Sequence, residues 1–261
     1  MSAAIDTGRE TGNRALKIRT VTKDDPWVWL NAGWNDFTSR PGISLAYGLT
    51  FTVVSYALAA CLHYLDVLYL LLPLGAAFTL AGPMLAVGLY EAARRMEVDE
   101  PVRLIDILKA GGRAPTQLTI IGLMLLIALL LWLRIATLLF VLFFSDGIPN
   151  LAEIIPTLVL TAHGVAFLLV GTAVGAVLAF AVFAISAVSV PMLLDRDIDA
   201  ITAIVTSVQT VARNPGPMLL WAWLIALMTL VGVFTLFLGL IVTFPVIGYA
   251  TWHAYRDLIE P

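Results

Sequence analysis

The chain has 261 residues, of which 60% are hydrophobic and only 13% charged, whereas a soluble domain carries about a quarter charged residues. Charge-free runs at 41–65, 67–90, 116–133, 154–194 and 214–255 leave no stretch large enough for an ordinary soluble active-site domain. The formal charge of −3 says little about partners because the charges are segregated along the chain, and a single cysteine, Cys61, excludes an intrachain disulfide and a cysteine-cluster metal site.

Residues 1–25 are polar and lack the apolar core of a signal peptide, so they read as a flexible cytoplasmic tail. From 26 to 259 the chain reads as an all-α, polytopic membrane helix bundle of six transmembrane helices. The spans are Ile43–His63, Val67–Tyr90, Gln117–Phe144, Ala166–Met192, Met218–Phe237 and Gly239–Trp252. A crossing needs roughly 20 apolar residues, and the last span is the shortest, with only Leu238, Gly239 and Leu240 available for the turn before it.

This division puts fourteen of the fifteen Lys and Arg on one side. They fall before the first span, between the second and third, between the fourth and fifth, and after the sixth. Lys and Arg near helix ends are retained in the cytoplasm, so both termini are expected there. The exception is Arg134, inside the third span.

Each hairpin is entered through a similar short segment: Arg40-Pro41, Arg113-Ala114-Pro115 and Arg213-Asn214-Pro215. Pro disfavours helix at the residue before it and suits the first helical turn, so it marks a break between a helix on the membrane and one crossing it. The exits also repeat, with Pro83, Pro191 and Pro245 preceding Arg94-Arg95, Arg196 and Arg256. The pattern predicts three parallel helical-hairpin repeats, about 26–95, 102–196 and 199–256, with short interfacial helices on the cytoplasmic side. Their apolar faces are expected at Trp27, Leu30, Trp34 and Phe37; at Leu104, Ile105 and Leu108; and at Ile201, Ile204, Val205, Val208 and Val211. Such helices either lie in the headgroup layer or dock on the bundle.

Few residues offer chemistry. Arg134 is costly within a bilayer; it either pairs with Asp66, Asp146 or Glu153 or contacts an anionic substrate. His63 and His163, toward the non-cytoplasmic face, are the candidate haem ligands, the alternative being ordinary interfacial hydrogen bonding. Glu91 stands three residues before Arg94, which suits an ion pair at a solvated helix end. Asp197 or Asp199 suits the N-cap of the following helix. Gly171, Gly175 and Ala179 form a small-residue stripe that places the fourth span centrally in the bundle or at a dimer interface. No phosphate loop, catalytic triad or zinc motif occurs, so no cofactor and no nucleic-acid partner is expected.

Several stretches occur in a recognisable order: Pro26–Phe37, Gly82-Pro83 through Arg94-Arg95, Pro191–Arg196 and Ala250–Arg256. Together they resemble a bacterial family of predicted integral membrane proteins, domain of unknown function 2189, over nearly all of Val21–Ile259. The resemblance implies a multi-helix protein of the bacterial inner membrane and supplies no catalytic residues. Tyr249 stands where the family pattern has a histidine. A haem-copper oxidase subunit is argued against, because that chemistry needs about six histidine ligands and this chain has three.

The leading expectation is a non-enzymatic scaffold or accessory subunit presenting a basic cytoplasmic face to anionic lipid or a membrane-protein partner. The alternatives are a small-solute transporter or channel with Arg134 near its outer end, and a haem-binding redox protein.

Overall fold

A computed structural model describes residues 16–67, 70–144 and 154–260. Twelve α-helices account for nearly all of the described chain: α1 (Asp25–Ser39), α2 (Pro41–Tyr64), α3 (Leu71–Leu85), α4 (Val87–Glu97), α5 (Leu104–Leu108), α6 (Pro115–Phe143), α7 (Ile154–Leu160), α8 (Ala162–Ser186), α9 (Ser189–Asp195), α10 (Ala200–Arg213), α11 (Pro215–Phe234) and α12 (Leu240–Leu258). A 3-10 turn, Ala110–Arg113, leads into α6. The fold is all-α; among the described residues strand-like pairing is confined to one bridge, Ile18 with Ile259.

The entry prolines act as expected. Pro41, Pro115 and Pro215 begin α2, α6 and α11, where the missing N–H costs nothing because the first-turn donors have no intrahelical partner.

Among the described residues, four segments are long and apolar enough to cross a bilayer, against the six expected: Pro41–Tyr64, Pro115–Phe143, Ala162–Asp195 and Pro215–Phe234. The shortfall has a local cause in each remaining pair member. The second expected span is divided at Ala86 into α3, only 15 residues long, and α4. In α12 the last two turns carry Trp252, His253, Tyr255, Arg256 and Asp257.

The most buried part of the molecule is its polar end. All seven residues Val87–Ala93 of α4 are buried, as are Ser189–Leu194 of α9 and twelve of the nineteen residues of α12. These three segments contact one another pairwise. By contrast, only 6–28% of each apolar crossing window is buried within the protein. α12 runs antiparallel to α1 and α2 and approaches both through glycine. A Cβ on Gly33 would lie 2.6 Å from the Ala250 nitrogen, and one on Gly48 would lie 2.2 Å from the Ile241 carbonyl oxygen.

Breaks between helices leave backbone groups unpaired, which is tolerable within a bundle only where neighbours satisfy them. At the α3–α4 break the Tyr47 hydroxyl donates to the Leu85 carbonyl at 2.7 Å. At the α8–α9 break the Ser207 hydroxyl donates to the Ala184 carbonyl at 2.8 Å and accepts from the Val188 N–H at 3.2 Å.

Three expectations change. The small-residue stripe does not make α8 central: that crossing window is the least buried of the four, and Gly171 faces open space. The stripe's one close approach is at Gly175, which abuts the Trp132 ring. Residues 17–19, expected within the flexible tail, instead pair with the C-terminal segment. There Arg19 N–H bonds the Leu258 carbonyl at 2.9 Å, and Glu260 N–H bonds the Lys17 carbonyl at 3.1 Å. Third, the interfacial helices present different faces. In α1, Trp29, Gly33 and Phe37 are buried while Trp27 and Trp34 are about half exposed. In α10, Ala203, Thr206, Ser207 and Thr210 are buried while Ile201, Val205 and Val208 are exposed.

Candidate functional site at the polar end

The end of α12 gathers ionic contacts from four other parts of the chain. The Trp252 indole N–H donates to the Glu97 carboxylate of α4 at 3.0 Å. His253 Nε2 lies 2.7 Å from the Asp36 carboxylate of α1. The buried Tyr255 hydroxyl donates to Asp195 of α9. Arg256 bridges two acids, reaching Glu97 at 2.9 Å and Asp195 at 3.2 Å. Asp257 accepts from the Trp29 indole at 3.0 Å and pairs with Arg19. Helical spacing explains the fan: residues 252–257 cover about one and a half turns, so their side chains leave the axis in every direction.

A second cluster centres on Glu91 of α4, which is 1% exposed. Its carboxylate accepts from Arg94 at 2.8 and 3.0 Å and from Arg95 at 2.8 Å, with Arg113 at 3.6 Å. Burial by itself would raise the Glu91 pKa. The hydrogen bonds from Arg94 and Arg95, with the charges of Arg94 and Arg113, outweigh it and hold the group below its ordinary value. The expected Glu91–Arg94 pair is therefore present, but within the core instead of at a solvated helix end. Arg95 continues outward to Asp106 of α5 at 3.3 Å, and Arg113 donates to the Leu194 carbonyl of α9 at 3.2 Å. Burial and the bond to Asp195 likewise raise the Tyr255 pKa.

Asn214, 2% exposed, closes a third link. Its side chain accepts from the Val21 N–H at 2.9 Å and donates to the Arg19 carbonyl at 3.1 Å. Asp199 caps α10 by accepting from the Thr202 N–H at 2.9 Å, as its position before that helix predicts.

These contacts alter the electrostatic reading of this face. The fourteen cations share it with fifteen of the eighteen acids, only Asp66, Asp146 and Glu153 lying elsewhere. Among the described residues, Lys17, Arg19, Arg94, Arg95, Arg113, Arg196 and Arg256 are paired within the protein, while Lys23, Arg40, Arg103, Lys109 and Arg213 form no ion pair. A cleft of about 380 Å³ between the 3-10 turn and α9 shows the same balance, with Arg113, Asp195, Arg196 and Asp197 among its lining residues. Arg196 is already engaged there by the Tyr255 hydroxyl at 3.1 Å and the Glu260 carbonyl at 2.7 Å.

The residues singled out as chemically costly lie away from this end. Arg134 is exposed on α6 and makes no ion pair among the described residues; two of its expected partners, Asp146 and Glu153, lie outside them. His63, in the last turn of α2, and His163, in the first turn of α8, are both exposed. Among the described residues no group of three or more His, Cys, Asp or Glu is placed to hold a metal. Tyr249, at the position where a histidine was expected, is buried and hydrogen-bonded to the Ser44 hydroxyl at 3.0 Å. The partners of Trp252, Tyr255, Asp195 and Ser207 could not be read from the sequence, since they lie far along the chain.

No curated protein and no solved structure matches the chain. Residues 71–195, from α3 through α9, match the model of a family described as predicted integral membrane protein (DUF2189).

Proposed function

We propose that this is a non-enzymatic protein of the bacterial inner membrane, a scaffold or accessory subunit whose cytoplasmic collar docks a membrane-protein partner. In this reading the chain crosses six times in three parallel hairpins and both termini are cytoplasmic. α3 with α4, α8 with α9, and α12 are the three returning arms. The segregation of Lys and Arg supports the orientation, and the mutual contact of α4, α9 and α12 supports the repeat.

The observation that carries the functional reading is the inverted face of α10. Its small and hydroxyl side chains face the bundle, while Ile201, at 72% exposure, and Val205 and Val208 face outward beside a charge-balanced end. A neutral collar with an apolar outer face favours a packed protein contact over long-range attraction to anionic lipid.

The test is site-specific photo-crosslinking in cells, with a photoreactive residue at Val205 and, as control, at Leu142 near the opposite end of α6. The expected result is a discrete protein adduct from Val205 that is absent from Leu142. Adducts to lipid alone from Val205, or identical patterns from both positions, would contradict the reading.

A further inference from the structure

Between the first two hairpins lies a cavity of about 570 Å³, walled by Tyr47 of α2, the α3–α4 break and one stripe of α6, and roofed by Leu108. The α6 stripe comprises Pro115, Thr119, Gly122, Leu123 and Leu126, spacings of three and four that keep them on one helical face. At 1.5 Å per residue it is about 16 Å long, the depth of one leaflet of a hydrocarbon core roughly 30 Å thick. Leu123 and Leu126 are about half exposed and Leu108 is 71% exposed, so the groove opens sideways.

The lining is apolar in effect as well as composition. Its two side-chain hydroxyls are already donated within the protein, Tyr47 to the Leu85 carbonyl at 2.7 Å and Thr119 to the Pro115 carbonyl at 2.7 Å. A polar solute would find no free side-chain hydroxyl donor there and would lose its hydration, whereas a hydrocarbon chain loses nothing. The volume holds about nineteen groups the size of a liquid water at ~30 Å³ each, which suits one long acyl chain. Lys109, next in sequence to the lining residue Leu108, is exposed and makes no ion pair among the described residues.

We propose that this groove holds one acyl chain of an anionic glycerophospholipid from the cytoplasmic leaflet, with its phosphate at Lys109. The assignment rests on α6 crossing the bilayer with Pro115 at the cytoplasmic surface, and not on the docking role of α10. Loss of the Val205 adduct would leave it standing, and its own failure would leave that adduct untouched.

The test is native mass spectrometry of the full chain in mild detergent, titrated with dioleoyl phosphatidylglycerol or dioleoyl phosphatidylcholine. Wild type is expected to fill one site first, with phosphatidylglycerol preferred. Gly122→Phe puts a ring into the groove and should weaken first-site binding about tenfold, or ~1.4 kcal/mol. Gly171→Phe, where a Cβ meets nothing within 4 Å, should leave binding unchanged. Lys109→Gln should keep the site but remove the headgroup preference. Single-chain lysophosphatidylglycerol should saturate the same site on wild type, which needs no variant to fold. Lipid adducts on wild type without a distinct first site, no binding of the single-chain lipid, or undiminished binding by folded Gly122→Phe would overturn the assignment.

Discussion

Glu91 is the residue on which the most charge converges. Three guanidiniums, of Arg94, Arg95 and Arg113, face one carboxylate that is itself buried. Removing one partner from a buried ionic cluster costs about 3–5 kcal/mol, because the remaining charges are left without compensation. Here the guanidiniums keep some solvent contact, with side-chain exposures of 15%, 21% and 43%, which lowers the expectation for Glu91→Gln to about 2–3 kcal/mol. The expected drop in melting temperature is roughly 5–10 °C, measured in detergent by intrinsic fluorescence. The pH dependence follows from the lowered pKa of Glu91. A carboxylate with a depressed folded pKa contributes stability that is complete above its unfolded value of about 4.3 and disappears as pH falls through the folded value. The wild-type melting temperature should therefore hold down to about pH 5 and decline below about pH 4. Glu91→Gln should start lower and show a weaker acid decline, and an equally steep decline would show that Glu91 does not set it.

At the level of elements, α12, which is not apolar enough to stand out as a crossing, is packed by α1, α2, α4, α9 and α11. α2, α6, α8 and α11 announce themselves because they are apolar all round, as a membrane crossing requires. α12 is surrounded by protein, so it carries Tyr249, Thr251, Trp252 and Tyr255 buried at no more than 5% exposure. Of the two placements that its glycines suggested, α8 does not take the central one: Gly164, Val182 and Ser186 are its buried residues. Entry prolines, the Asp199 cap and the Glu91–Arg94 pair were legible because each is a rule about neighbouring residues. The buried face of α1 was not, because Trp and Phe occur on both of its faces and only the path of α12 decides between them. That path depends on glycine. Gly48→Val would force a side chain against the Ile241 carbonyl, and overpacking of this kind costs about 1–3 kcal/mol. A melting-temperature decrease of roughly 3–10 °C is expected, while Gly171→Val on open α8 should change it little. Equal effects at the two glycines would show that α12 does not approach α2 this closely.

Across the whole molecule, apolar helices fill one region, and the ion pairs of the described residues gather at one end. The match of residues 71–195 to a family of predicted integral membrane proteins accords with that division. The paired end ties together parts of the chain that lie far apart in sequence: Arg19 with Asp257, Asp36 with His253, Glu97 with Trp252, and Asp195 with Tyr255. Such contacts cannot be read from composition or periodicity, which is why the face looked basic when only its cations were followed. The central claim is that this end is an interlock closed by α12. A double-mutant cycle between Tyr255→Phe and Asp195→Asn, read as unfolding free energy in detergent, tests it most directly. Hydrogen bonds to charged groups contribute about 1.5–3 kcal/mol, so an interaction energy of at least ~1 kcal/mol is predicted, the double variant being little worse than the worse single one. Additivity of the two single effects within about 0.3 kcal/mol would contradict the account.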